Sequence, residues 1–112
     1  MTNITDEYMK QMMATTKNYT AVILKKGPEF KMPDVYPTIW EHGRKNFELR
    51  AEGILSIVCP ISDDTEMAGI GIFNASIEET KKLMEADPAI IKGILTYEIH
   101  PTRSFPGDIL PK

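Results

Sequence analysis

The sequence predicts an α+β domain in which two helices pack on one face of a four-stranded antiparallel sheet. Three observations lead to this prediction: four apolar runs rich in β-branched residues, two amphipathic segments that each open with a capping-box pattern, and the order in which they alternate. That order is β-α-β-β-α-β after one extra N-terminal helix. It is the order of the ferredoxin-like fold, which is therefore the predicted fold class.

The four predicted strands are short runs of apolar and β-branched residues bounded by turn-forming residues. They cover residues 18–25, 54–60, 67–73 and 94–100. Pro60 and Pro101 are expected to end the second and the fourth strand, because proline lacks the backbone donor of a strand ladder. Gly69 and Gly71 share one face of the third strand, which predicts a close approach of backbone or ligand there.

A helix is predicted over residues 38–52, after a long proline-rich loop. Thr38 is its expected N-cap, with Glu41 completing a capping box, and Gly53 its left-handed C-cap. Its apolar residues recur at intervals of three and four positions, which predicts one buried face. That face comprises Trp40, Gly43, Phe47 and Ala51, with Ile39 beside them.

A second helix is predicted over residues 76–86, opened by a capping box of Ser76 and Glu79. Its expected buried face comprises Ile77, Thr80, Leu83 and Met84. Asp87 and Pro88 then begin a short helical turn, since aspartate is a favoured cap and proline a favoured first helical residue.

The ends of the chain are predicted to be additions to the domain. Residues 1–17 form an N-terminal helical extension whose stripe of tyrosine and methionine needs a surface, in cis or on a partner. Residues 18–101 form the domain, and residues 102–112 form a C-terminal tail.

The predicted sheet is apolar on both faces, with Ile54 and Val58 opposite Leu55 and Ile57, so we expect a homodimer formed through the sheet.

Composition excludes several classes of function. The 112 residues carry a net charge of −3, which argues against a nucleic-acid binder with a broad basic face. One cysteine cannot form an intramolecular disulfide, and with two histidines 58 residues apart no structural zinc site is expected. No apolar run is long enough for a membrane span, and no secretory signal is visible, so we expect a cytoplasmic protein without membrane contact. No motif for an organic cofactor is present.

Several local patterns together resemble the YciI-like (YCII-related) family of small dimeric α+β barrel proteins. The matching segments are TAVILKKGP, WEHGRKNF, GIL leading into CPISD, GIGIF, SIEETKKLMEADPAIIKGI and TYEIHP, within about residues 18–101. The resemblance implies a dimeric ferredoxin-like barrel with a cleft in each subunit. It also implies an acid–base site, which its motifs place on His42 and Asp87. Many members carry an arginine three residues before this histidine, where the present chain has Ile39 and so lacks an obvious anion anchor.

The resemblance implies acid–base chemistry, elimination or isomerisation, on a small organic molecule. His42 would be the general acid or base, and Asp87 would orient its ring and stabilise the imidazolium. Relatives with related folds carry out dehydrochlorination or lactone isomerisation on small oxygenated rings. The alternatives are a non-catalytic small-molecule-binding protein and a dimerisation protein of the same fold, and the sequence does not name the substrate.

Other chemistry-bearing residues receive structural interpretations. Cys59 is expected to be buried and structural, because free cysteine is among the most buried residue types. His100 is expected to be solvated, without a role. Arg44 and Lys45 could attract an acidic substrate, but Glu41 and Glu48 can pair with them along the helix.

Overall fold

The computed structural model describes residues 2–112, and its topology confirms the ferredoxin-like α+β fold. The elements are α1 (Asp6–Met13), β1 (Lys17–Lys26), α2 (Tyr36–Ala51), β2 (Leu55–Pro60), β3 (Met67–Phe73), α3 (Ile77–Glu85), α4 (Pro88–Ile91) and β4 (Leu95–Ser104). The four strands form one antiparallel sheet in the order β2-β3-β1-β4.

One face of the sheet is covered by the helices and forms the core. Val22, Gly71 and Val58 lie side by side across β1, β3 and β2 on this face, since direct cross-strand partners point to the same side. The main core cluster comprises Val22, Leu49, Leu55, Phe73 and Met84, and a second cluster comprises Ala89, Ile94 and Leu95 around α4. Phe73 fills the space that Gly71 leaves, because a Cβ at Gly71 would lie 3.1 Å from its ring.

The opposite face of the sheet is open in a single chain and carries two cross-strand rows that are mostly apolar. These rows are Ala21–Ile72–Ile57 and Ile23–Ile70–Cys59. Ile70 is 39% exposed at the middle of this open face. Toward β4 the open face becomes polar, with Lys25 bonded to Glu98 and His100 next to it.

A β-bulge changes which residues of β2 face the core. Leu55 pairs with Phe73 and Ile57 pairs with Ile72, so Ser56 is an extra residue in β2. As a result Leu55 and Val58 both join the core side. The predicted strict alternation, with these two residues on opposite faces, is therefore wrong.

Helix α2 differs from its prediction at its start and in its buried face. It begins at Tyr36 with Pro37 in the first turn, and Val35 at the N-cap makes no side-chain bond. Thr38 is buried inside the helix, so the predicted capping box with Glu41 does not form. The predicted C-cap is confirmed, since Gly53 has φ 76°.

The predicted buried stripe of α2 is wrong. Trp40 is 58% and Phe47 is 68% exposed, and Trp40 pairs with the exposed ring of Tyr36 at 6.2 Å between centroids. The helix instead buries Leu49 and Thr38, and turns half-buried polar side chains toward α4 and the sheet. This inner side carries the candidate site.

Helix α3 follows its prediction closely at its start. Ser76 accepts a bond from the Glu79 backbone N–H at 3.0 Å, and Glu79 accepts from the Ser76 N–H at 3.2 Å, which confirms the capping box. Hydrogen bonding to Ser76, through its side chain first and its backbone second, lowers the pKa of Glu79. Thr80 and Met84 are buried as predicted, whereas Ile77 is 40% exposed.

Strand β4 continues past the predicted end at Pro101 as far as Ser104. Pro101 lies opposite Thr20 in the ladder with β1. Proline is tolerated there because β4 is an edge strand, on which a missing outward donor removes no ladder bond.

The two ends of the chain are exposed segments of the structure. Helix α1 is capped by Thr5, whose side chain accepts a bond from the Tyr8 N–H at 3.1 Å, but it has no buried residue. Ile109 and Leu110 in the tail are also exposed. The predicted apolar stripe of α1 therefore finds no burying surface within one chain.

Candidate active site

The candidate site is built around a buried carboxylate at the start of α4. Asp87 is only 1% exposed, and its Oδ1 accepts a hydrogen bond from the Ala89 backbone N–H at 2.9 Å. Pro88 supplies the first helical residue, so the sequence Asp-Pro begins this short helix as predicted. The cap uses one carboxylate oxygen and leaves Oδ2 for another partner.

That partner is His42 of α2. Its Nδ1 lies 2.7 Å from Oδ2 of Asp87, and its side chain is 13% exposed. The structure thus brings together the two residues that were predicted as an acid–base pair, 45 residues apart in sequence. Each oxygen of the buried carboxylate has a hydrogen-bond donor, which meets the requirement that a buried charge be partnered.

The hydrogen-bond pattern leaves Nε2 of His42 as an acceptor. An ionised carboxylate only accepts hydrogen bonds, so Nδ1 carries the proton that points at Asp87. In the neutral ring the lone pair of Nε2 is an acceptor, and Asn46 donates to it from Nδ2 over 3.3 Å. A histidine oriented in this way can take a proton through Nε2.

Asn46 was not predicted from the sequence. It lies four residues after His42, and residues at this spacing are neighbours on a helix surface, so the spacing was the available signal. Its contact with Nε2 is longer than the bond between His42 and Asp87. A substrate that approaches Nε2 would meet the Asn46 side chain at the same point.

A cleft of about 930 Å³ adjoins this pair. His42 and Asn46 of α2 border it, and its floor includes Leu55 and Gly71 of the sheet. Its lining also includes Cys59 of β2 and Ile70 of β3, and residues of the C-terminal segment such as Phe105. His42 thus borders a partly open recess, and the volume of this recess is in the range that binds small molecules.

The other chemistry-bearing residues lie away from this pair. Arg44 bonds to Glu41 at 2.9 Å and Lys45 lies 3.9 Å from Glu48, so both take the predicted pairings along α2. Cys59 is exposed on the open sheet face opposite Ile70, which corrects the prediction of a buried thiol.

His100 is exposed, as predicted, and lies 3.1 Å from Glu98 on the open sheet face. Hydrogen bonding from Lys25 first, and from His100 second, lowers the pKa of Glu98. This polar group is on the face opposite the core and has no contact with the pair of His42 and Asp87.

Residues 2–112 contain neither a metal-ligating cluster nor a membrane-spanning helix. No group of three or more histidine, cysteine, aspartate or glutamate residues in this range is arranged to hold a metal ion. No helix in the same range is long and apolar enough to cross a membrane.

No protein-family model matches the chain, and no curated protein matches it. Among solved structures the chain is similar to TftG, the 5-chloro-2-hydroxyhydroquinone dehydrochlorinase of Burkholderia phenoliruptrix AC1100, in complex with 2,5-dihydroxybenzoquinone. That match has a TM-score of 0.48 and 19% sequence identity, and it covers 72% of this chain and 90% of that one.

Proposed function

We propose that this chain is an acid–base enzyme of the YciI-like class that acts on a small organic molecule in the cleft beside α2. The observation that carries the proposal is the 2.7 Å contact between Nδ1 of His42 and the buried Asp87, in a histidine that lines the cleft. The motifs around these residues support the same class. The reaction type is proton abstraction followed by elimination or isomerisation.

The proposed chemistry uses the two nitrogens of His42 differently. Nε2 takes a proton from an acidic C–H group of the substrate, and the ring becomes an imidazolium. Asp87 is already bonded to Nδ1–H, so its negative charge stabilises the imidazolium without a change of geometry. In an isomerisation the proton returns to another carbon, and in an elimination the carbanion expels a leaving group.

We also propose that the chain works as a cytoplasmic homodimer joined through the open sheet face. The two apolar rows on that face cross three adjacent strands, and a surface of this kind is costly to leave in water. A second copy would cover it by sheet-on-sheet packing. His42 and Asp87 lie on the opposite, helix-covered face. Some residues that line the cleft would be covered by the second copy, namely Ile57, Cys59, Ile70 and Ile72.

The enzymatic proposal can be tested without knowing the natural substrate. The protein is incubated in heavy water with a panel of cyclic ketones, lactones and their carboxylate-bearing derivatives, and deuterium incorporation and elimination products are followed by NMR. We expect turnover of at least one compound, and a rate decrease of about 100-fold or more in His42→Asn, the range of a lost general base. The matched control is His100→Asn, which changes the other histidine and should leave the rate unchanged.

Two results would contradict the proposal. One is turnover that His42→Asn leaves intact. The other is binding of panel compounds in the cleft with no proton exchange or product above background, which would favour the alternative of a non-catalytic small-molecule-binding protein.

A further inference from the structure

The side of α2 that borders the cleft continues beyond the histidine. His42, Asn46 and Arg50 follow one another at intervals of four residues, and all three line the cleft. Residues at this spacing form one row along a helix. The row therefore leads from the proposed base, past an amide, to a guanidinium group.

Among residues 2–112, Arg50 differs from Arg44 in having no side-chain partner. In the part of the chain that the structure describes, its guanidinium makes no ion pair and no hydrogen bond, whereas Arg44 is held by Glu41. The second cation of the cleft, Lys26, donates to the Asp63 carbonyl at 2.9 Å and lies over the Phe30 ring. Arg50 is thus the cation in the cleft that is free to bind a ligand.

The cleft lining carries more basic than acidic side chains. It includes Lys26 and Arg50 but a single acidic residue, Asp108. The carboxylate of Asp87 lies behind His42 and is already bonded to its ring, so it is not available to pair with Arg50. The unpaired guanidinium of Arg50 therefore favours an anionic ligand at its own position.

The bulge in β2 places a hydroxyl group in the same region. Ser56 is the extra residue of that bulge, and it lines the cleft together with Arg50. Arg50 and Ser56 also line a small neighbouring depression with Phe47 and Leu55. Bulges occur next to active sites, where they redirect a side chain.

We propose that Arg50, assisted by Ser56, binds the carboxylate of the substrate. This inference rests on the proposed function, because it takes the cleft as the substrate site. It assigns an anion anchor on the C-terminal side of His42 in a chain that has Ile39 where an arginine was expected. Arginine suits this role because its planar group can form two parallel bonds to one carboxylate.

The spacing of the row sets the size of the substrate. Eight residues separate His42 from Arg50, a rise of about 12 Å along the helix axis. A carboxylate at Arg50 and a reacting carbon at Nε2 therefore belong to a molecule with at least one ring or a short chain between them. The apolar lining, with Phe47 and Val58, suits a ring carboxylate or an aryl carboxylate.

Equilibrium binding tests the inference independently of turnover. Phenylacetate and its neutral analogue phenylacetamide are titrated by NMR into the wild type, Arg50→Gln, Ser56→Ala and Arg44→Gln. We expect the wild type to bind phenylacetate more tightly than phenylacetamide. Arg50→Gln should weaken phenylacetate binding by about tenfold or more, as for a lost charged hydrogen bond, and leave phenylacetamide unaffected. Ser56→Ala should give a smaller loss for phenylacetate alone, and Arg44→Gln should change neither affinity.

The inference is overturned if phenylacetate does not bind, if acid and amide bind equally, or if Arg50→Gln and Arg44→Gln have the same effect. The same titration on His42→Asn separates this inference from the proposed function. If His42→Asn still binds phenylacetate more tightly than phenylacetamide, and the wild type turns over no compound of the panel, the anion site is supported and the proposed acid–base activity is not.

Discussion

At the residue scale, Asp87 performs two tasks with one carboxylate. Oδ1 caps α4 through the Ala89 N–H, and Oδ2 holds Nδ1 of His42. The cap and the short Asp-Pro turn fix the carboxylate in place, so little freedom remains to be lost when it orients the imidazole ring. A structural capping role and a functional orienting role are therefore compatible in this residue.

Asp87→Ala is expected to lower the free energy of unfolding by about 2–4 kcal/mol. This range combines the loss of a helix cap, about 1 kcal/mol, with a buried imidazole donor left unpaired, about 1–3 kcal/mol. Urea unfolding would measure this loss. The dependence of the unfolding free energy on urea concentration should be the same in the wild type and in Asp87→Ala, which would show that the same surface is exposed on unfolding.

Asp87→Asn is the matched control, because its amide oxygen can still accept from Ala89. We expect it to cost less stability than the alanine variant. Equal losses in the two variants would contradict the double role of the carboxylate.

At the element scale, the sequence predicted the order of helices and strands but not every face they present. The α3 capping box and the Gly53 C-cap were predictable because each depends on a few adjacent residues. The buried face of α2 was not predictable from its apolar residues. Trp40 and Phe47 are large and apolar yet exposed, while half-buried His42 and Asn46 face the cleft.

The missed features share a physical cause. Hydrophobic spacing identifies a core, whereas the inner side of α2 is partly a polar site. The Ser56 bulge and the continuation of β4 through Pro101 depend on pairing with other strands, which no local pattern contains. The contact of His42 with Asp87 was predictable only from family-like motifs and not from spacing.

A close backbone contact joins the loop after β1 to the residues between α4 and β4. Gly27 donates its N–H to the Ile94 carbonyl at 2.7 Å, and a Cβ at Gly27 would lie 2.2 Å from the Gly93 carbonyl oxygen. Gly27→Ala is therefore expected to destabilise the fold by about 3 kcal/mol or more, at the upper end of overpacking effects. Thermal unfolding measures this loss.

Gly43→Ala provides the control within the same chain. No atom lies within 4 Å of a Cβ at this helical position, and alanine favours a helix over glycine by about 1 kcal/mol. We expect a small gain in stability. Similar losses for the two alanine variants would contradict the contact at Gly27.

At the scale of the whole molecule, the single chain is extended for its length. Its radius of gyration is 16.5 Å, and its extents are 55 × 30 × 24 Å, whereas a compact domain of this size has a radius of gyration of about 13 Å. Helix α1 buries no residue, and the tail is exposed. The open sheet face adds further uncovered apolar surface.

The proposed homodimer predicts that charged substitutions at two exposed isoleucines affect dimer formation differently. Ile70→Glu places a charge at the middle of the open sheet face, and we expect it to yield monomers of 12.7 kDa in sedimentation experiments under conditions where the wild type is a dimer. Ile91→Glu, on α4 at 68% exposure, should leave the dimer intact. A monomeric wild type, or two variants that both remain dimeric, would contradict assembly through this face.

The proposed chemistry depends on Asp87 holding His42 with Nδ1 protonated and Nε2 able to accept a proton. Nitrogen NMR of the His42 ring in isotope-labelled protein, at a pH where the ring is neutral, reports directly which nitrogen carries the proton. We expect the Nδ1–H form in the wild type and a shift to the Nε2–H form in Asp87→Asn, whose amide donor would face Nδ1. A wild-type ring protonated on Nε2, or a ring whose proton does not respond to Asp87→Asn, would contradict this role of Asp87.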